Sequence, residues 1–119
     1  MKKEFEARLV KYSVDILEIA ENMRKDFMGK HLSSQIIRSG SSVALNYGEC
    51  QSAQSRKDFI HKASVILKEL RETIINLRII SEKKLCRKEE LLLQVIKESD
   101  ELIAIFYKTI QTCRRNDNS

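Results

Sequence analysis

Residues 55–84 read SRKDFIHKASVILKELRETIINLRIISEKK, with neither proline nor glycine to interrupt a helix. Wound at about 100° per residue, Phe59, Ala63, Ile66, Leu70, Thr73, Leu77 and Ile80 fall on one line, and Ile60, Leu67 and Ile74 widen it into a core face. His61, Val65, Glu72, Ile75 and Ile79 fall nearly opposite, where a helix on the outside of a small monomer carries charged or polar side chains. Such a helix is central in its own bundle, or one of two further readings of the stripe applies. Val65, Ile75 and Ile79 are singly exposed apolar residues of the ordinary kind, or the stripe packs against another copy of the chain, which a short chain favours. In the last reading all five residues belong to an oligomer interface.

Around this helix the composition leaves little choice of fold class. A chain of 119 residues forms one domain with a single core. It has no proline and three glycines, with 33% charged and 42% apolar residues, which favours helix and leaves little turn chemistry for sheets. The fold class expected is all-α. Lys plus Arg number 22 against 17 Asp plus Glu, a formal +5 that permits a polyanion partner without requiring one. Cys50, Cys86 and Cys113 are odd in number and lack CxxC or Cys/His ligand spacing, so neither a disulfide framework nor a zinc site is indicated and a reducing cytoplasm fits best. Acidic residues interrupt every apolar run of the N-terminal MKKEFEARLVKYSVDILEIAENM, which excludes a signal-peptide core or a spanning helix there, so a soluble protein with no membrane partner is expected.

Upstream, Phe5, Leu9, Tyr12, Ile16, Ile19 and Met23 repeat at three and four, predicting an amphipathic helix over 3–25 that Gly29 stops. A second helix is expected to start at Ser33 as N-cap, with Leu32 and Ile37 as a hydrophobic staple, and to run to about Cys50. Leu32, Ile36, Gly40, Val43 and Tyr47 share its inner face. Gly40 costs about 1 kcal/mol against alanine as a helix former unless close packing offsets it, and so marks a helix crossing. Opposite runs a polar line, Gln35, Arg38, Ser42, Asn46 and Glu49, which is either a recognition strip or a solvated face.

The central helix starts at Ser55, an N-cap with Asp58 three residues on, and ends in the charged stretch SEKKLCRKEE with a turn near 84–88. Beyond it Leu92, Val95, Ile96, Ser99, Leu102, Ile103, Phe106, Ile110 and Cys113 keep the helical period, and the tail RRNDNS is expected to fray. Four amphipathic helices with short links predict an up-down-up-down antiparallel four-helix bundle.

Chemistry is sparse along this chain. With only His31 and His61 and no Glu-x-x-His pair, the ligand pattern of di-metal bundles is missing, and Glu18/Glu21 and Glu69/Glu72 read as surface pairs. No phosphate loop, nucleophile elbow or Cys/His nucleophile pair is visible, so no catalytic residue, metal or cofactor is expected. Basic residues are more suggestive: Arg56, Arg71 and Arg78 lie along one flank of the central helix, with Lys57 and Lys68 further round. Such a row either contacts phosphates or is neutralised within the helix, Lys68 by Glu72 and Arg71 by Glu69. The few aromatics lie mainly on apolar lines, so no stacking platform is expected beside the row.

The segment RSGSSVALNYGECQSAQSRKDFIHKASVILKELRETIINLRII resembles the small bacterial four-helix-bundle proteins known as 23S rRNA intervening-sequence, or S23-type, proteins. The likeness rests on Ser42, Asn46 and Glu49 in the second helix and on Arg56, Asp58, Phe59, Lys62, Lys68, Glu69, Arg71, Glu72 and Thr73 in the third, and with the flanking helices it spans nearly the whole chain. Where the family often has a bulky aromatic late in the third helix, this chain reads TIINLRII. That family is similar to the accessory variability determinant of diversity-generating retroelements, a homopentameric barrel that engages a reverse transcriptase and nucleic acid. The resemblance implies a cyclic homopentamer with an RNA or ribonucleoprotein connection. Two functions therefore remain open: an oligomer that binds RNA or DNA through backbone electrostatics, and a protein-interaction scaffold with no nucleic-acid role.

Overall fold

The structure, a computed structural model, describes residues 2–117. It contains four helices: α1 (Lys2–Glu21), α2 (Phe27–Gln51), α3 (Arg56–Lys83) and α4 (Glu89–Asp117). Among the described residues there is no strand. Each helix runs back against the one before it, α1 also borders α4, and α1 and α3 stand diagonally across the core, giving the expected antiparallel four-helix bundle about 51 Å long.

The apolar lines predict the core well. Leu9, Tyr12, Ile16, Ile19 and Met23 of the first stretch, Ile36, Val43 and Tyr47 of α2, Ala63, Ile66, Leu70, Leu77 and Ile80 of α3, and Leu92, Val95, Leu102, Phe106 and Ile110 of α4 are all buried. Phe5, Tyr47 and Phe106 close one end as an aromatic cluster with ring centroids 5.2–6.4 Å apart. Gly40 is the close approach its position implied: a Cβ there would lie 2.8 Å from Cγ1 and 2.9 Å from Cγ2 of Ile16. Ser13 Oγ reaches across the same crossing to donate to the Gly40 carbonyl.

Among the described residues three polar side chains, Ser39, Thr73 and Ser99, are fully buried, and each is satisfied. The Ser39 and Thr73 hydroxyls meet 2.7 Å apart between α2 and α3. Between α1 and α4, the Tyr12 and Ser99 hydroxyls meet at 2.6 Å while Ser99 donates to the Val95 carbonyl. Arg8 adds a two-pronged ion pair to Glu98, both contacts at 2.7 Å, where α1 meets α4.

The α1–α2 junction departs from the sequence reading. The first helix ends at Glu21 rather than near residue 25, and α2 begins at Phe27, with Asp26 rather than Ser33 as its N-cap. The Asp26 carboxylate accepts the Gly29 amide at 2.9 Å, and that bond, ahead of the Arg24 side chain, holds its pKa below the usual carboxylate range. Gly29 is therefore inside the first turn of α2 and is no stop; glycine is needed because a Cβ would fall 1.8 Å from the Arg24 carbonyl oxygen. Residues 22–24 leave the helix because their backbone pairs elsewhere. Arg24 N–H donates to the Leu85 carbonyl at 2.7 Å and Arg87 N–H to the Asn22 carbonyl at 2.9 Å, an antiparallel bridge that ties the α1–α2 link to the α3–α4 link.

The termini of α3 follow the sequence. Ser55 caps α3 by accepting the Asp58 amide. Lys84 ends it in the left-handed region, with its amide on the Ser81 carbonyl and the Leu85 amide on Ile80, and with Leu85 buried beside them. In place of a frayed tail from Arg114, α4 stays helical to Asp117; the rest of the predicted fraying lies outside the described residues.

Candidate nucleic-acid interface

Antiparallel pairing of α3 and α4 brings together residues some 40 positions apart in sequence. An open groove of about 350 Å³ runs between them, floored by the buried Leu67 and Ile110. Its α3 wall holds Ser64, Lys68 and Arg71, and its α4 wall holds Tyr107, Gln111 and Arg114. Three cations and no carboxylate line it among the described residues. Among the described residues, none of Lys68, Arg71 and Arg114 has an acidic partner within 4.0 Å.

The acids that the sequence offered as neutralising partners face the other way. Glu69 and Glu72 turn to α2, where Arg38 sits 3.4 Å from the first and 2.5 Å from the second. Arg71 and Glu69 fall on opposite flanks of α3, and Glu72, though one turn from Lys68, is drawn to Arg38 instead. Neutralisation within α3 is thus not what the geometry shows.

The rest of the basic row is spread out. Arg56 and Lys57 are exposed at the start of α3, with Arg56 about 22 Å along the helix axis from Arg71. Arg78 is exposed about 10 Å beyond Arg71, beside a shallow depression with Ile75, Ile79, Glu82 and Lys83. Sequence reasoning missed Arg114, Tyr107 and Gln111. The aromatic it did not expect beside the basic row is Tyr107, brought there by α4. The available signal was that Tyr107 and Arg114 stand seven residues apart, two turns on one face of the last helix.

The polar line of α2 lies along its seam with α3 rather than standing free. Arg38 is held by Glu69 and Glu72, and Ser42 donates to the Ser39 carbonyl; Gln35 and Asn46 are half-buried, and Glu49 is exposed. On the outer stripe of α3, Val65, Ile75 and Ile79 are 36%, 51% and 46% exposed, His61 is exposed, and Glu72 is engaged by Arg38. A second apolar surface escaped the sequence reading. Val10, Val14 and Leu17 of α1 and Ile37 and Leu45 of α2 are all exposed, along the seam that the Ser13–Gly40 contact aligns.

Among the described residues no three His, Cys, Asp or Glu side chains converge as a metal site, and no helix is long and apolar enough to cross a membrane. The three cysteines are free thiols.

A family model described as 23S rRNA-intervening sequence protein matches residues 5–114. The chain belongs to that family. A solved structure from Bacteroides thetaiotaomicron, a protein with unknown function from the S23 ribosomal protein family, is 28% identical and superposes with a TM-score of 0.80, covering 93% of this chain and 99% of that one. No curated protein matches the chain. Several residues behind the resemblance to this 23S rRNA-intervening sequence family have structural work here. Asp58 accepts the Gln54 amide and pairs with Lys62, Glu69 and Glu72 hold Arg38, and Thr73 meets Ser39 in the core. Lys68 and Arg71 do none of this.

Proposed function

We propose that the protein is a non-enzymatic, oligomeric binding protein whose α3/α4 groove takes the phosphate backbone of RNA or DNA, free or in a ribonucleoprotein. The observation that carries the reading is the convergence of Lys68, Arg71 and Arg114 on one groove with no acidic partner among the described residues. Cations left unpaired in a concave site concentrate positive potential where a polyanion can enter, and a guanidinium offers a phosphate two parallel hydrogen bonds. Arg78 on one side and Arg56 and Lys57 on the other extend the track along α3.

Assembly is part of the same reading. A head-to-tail ring needs two different patches on each protomer. The α3 stripe with Val65, Ile75 and Ile79 and the α1/α2 surface with Val14 and Leu17 belong to diagonally opposed helices, which supports such a closure. The homopentamer implied by the family resemblance is the assembly we propose.

The test is fluorescence anisotropy with mixed RNA and DNA oligomers at low salt, on protein whose oligomeric state is verified by sedimentation. Binding is expected to tolerate any sequence and to weaken by orders of magnitude between about 50 and 200 mM salt, as contacted phosphates regain their counterions. No binding by the verified oligomer would overturn the reading. It would favour instead a protein-interaction scaffold with no nucleic-acid role, for which the exposed α1/α2 apolar surface is the supporting feature.

A further inference from the structure

Resting on the nucleic-acid reading of the groove, we infer that its ligand is a single strand, with one base stacked on the Tyr107 ring, rather than a duplex. The chain has three tyrosines and no tryptophan. Tyr12 and Tyr47 are buried, the first with its hydroxyl on Ser99 and the second in the Phe5–Phe106 cluster. Tyr107 differs from both: it is 50% exposed at the groove wall, and among the described residues it packs against no other aromatic ring.

The neighbours of that ring suit an unpaired nucleotide. Leu67 and Ile110 give the groove an apolar floor against which a base or sugar can rest, and Lys68, Arg71 and Arg114 stand around it for the flanking phosphates. The Gln111 carboxamide makes no hydrogen bond among the described residues and is free to meet a base edge. The Ser64 hydroxyl spends its proton on the Ile60 carbonyl and is left to accept. A volume of about 350 Å³ is at the small end of ligand sites and fits one nucleotide unit rather than the width of a double helix.

In a duplex the base faces are already covered by their neighbours, so a double strand can use only the three cations. A single strand can use the cations and the ring together. Base–aromatic stacking adds affinity without favouring one base strongly, so the preference is for strandedness and not for sequence.

Anisotropy titrations with a short labelled RNA, alone and annealed to its complement, test this at about 50 mM salt. The single strand is expected to bind roughly tenfold or more tighter than the duplex. Tyr107→Phe should keep that preference, and Tyr107→Leu should bring single-strand affinity down to the duplex level with helical content unchanged. Because the other two tyrosines are buried, quenching of tyrosine emission on adding unlabelled single strand, absent in Tyr107→Phe, reports on this ring. Equal affinity for both forms, unmoved by Tyr107→Leu, would overturn the single-strand inference while leaving phosphate binding by the groove intact. Absence of binding to either form would remove both.

Discussion

The two helix pairs of this bundle are built to the same antiparallel plan, yet their seams differ. Between α1 and α2, Gly40 removes a side chain so that Ile16 packs onto the backbone, the crossing is closed, and the outward surface is apolar with Val10, Val14, Leu17, Ile37 and Leu45. Between α3 and α4 no glycine intervenes, and the seam opens into a groove lined by a tyrosine and by three cations with no acidic partner among the described residues. Past the Gly40 crossing the α1/α2 seam also opens, into a groove of about 670 Å³ walled by Arg24, Lys25, Lys30 and Arg38, whose two arginines are held by Asp26 and by Glu69 and Glu72. The α3/α4 groove differs in that, among the described residues, its arginines have no acidic partner and an aromatic ring stands beside them. What separates them is how side-chain size and charge are divided between the two flanks of each helix, not their overall composition.

The largest effects are expected at the proposed interfaces. Ile79→Glu on α3 and Leu17→Glu on α1 should each dissociate the assembly in sedimentation, because burying a carboxylate without a partner costs several kcal/mol per site. If Leu17→Glu assembles as the parent does while Ile79→Glu does not, the α1/α2 surface is not the complementary patch and the ring closes through another face.

Next in size is the groove itself. Replacing Arg71 and Arg114 together by Gln should weaken RNA and DNA binding by roughly a hundredfold at low salt and flatten the salt slope by about one unit per lost contact. Arg38→Gln removes a cation of the same type from the α2 flank. Since Glu69 and Glu72 already hold Arg38, that variant should bind almost as the parent does, and an equal loss in both variants would show that net charge rather than the groove governs affinity.

Alkaline stability tests the core where the two helix pairs meet, with Tyr12 buried against Ser99 of α4 and Cys50 against Phe59 of α3. Burial from water, opposed by the Ser99 hydrogen bond and assisted by Glu98, raises the Tyr12 phenol from 10.0 to about 12; burial likewise lifts the Cys50 thiol from 9.0 to about 11. Both folded pKa values exceed the unfolded ones, so this stabilisation is complete below about pH 9 and is lost as pH rises through about 11 to 12. Tyr12 alone corresponds to roughly 2–3 kcal/mol of that loss. Denaturant midpoints measured across this range should fall, and Tyr12→Phe should flatten the decline above pH 10.0.

The smallest effect concerns the crossing. Gly40→Val should lower unfolding free energy by about 1–3 kcal/mol, because the added carbons meet a buried Ile16 that has little room to turn. Chemical denaturation measures it, and a neutral result would mean that α1 can move outward without loss.

Much of this was legible in the one-dimensional pattern because burial follows helical period. The inner lines of all four stretches, the Ser55 cap, the turn near residues 84–88 and the Gly40 crossing all came from spacing and local chemistry. The first junction was misread for a physical reason. Gly29 looks like a helix stop, but its need for glycine comes from the Arg24 carbonyl that folds over it, and residues 22–24 leave the helix to pair with residues 85–87 far along the chain.

By itself the sequence determined the fold class, the number of helices, the faces they bury and the placement of Lys68 and Arg71 on a flank of α3, since each of these depends on residues within a few turns of one another. Only the tertiary structure decided what faces those two cations. Arg38 arrives from α2 to occupy Glu69 and Glu72, and Tyr107 and Arg114 arrive from α4 to complete the groove. A helical period shows which residues share a flank, but which side chains of a neighbouring helix stand opposite depends on register and crossing, and those are set by packing across the whole core.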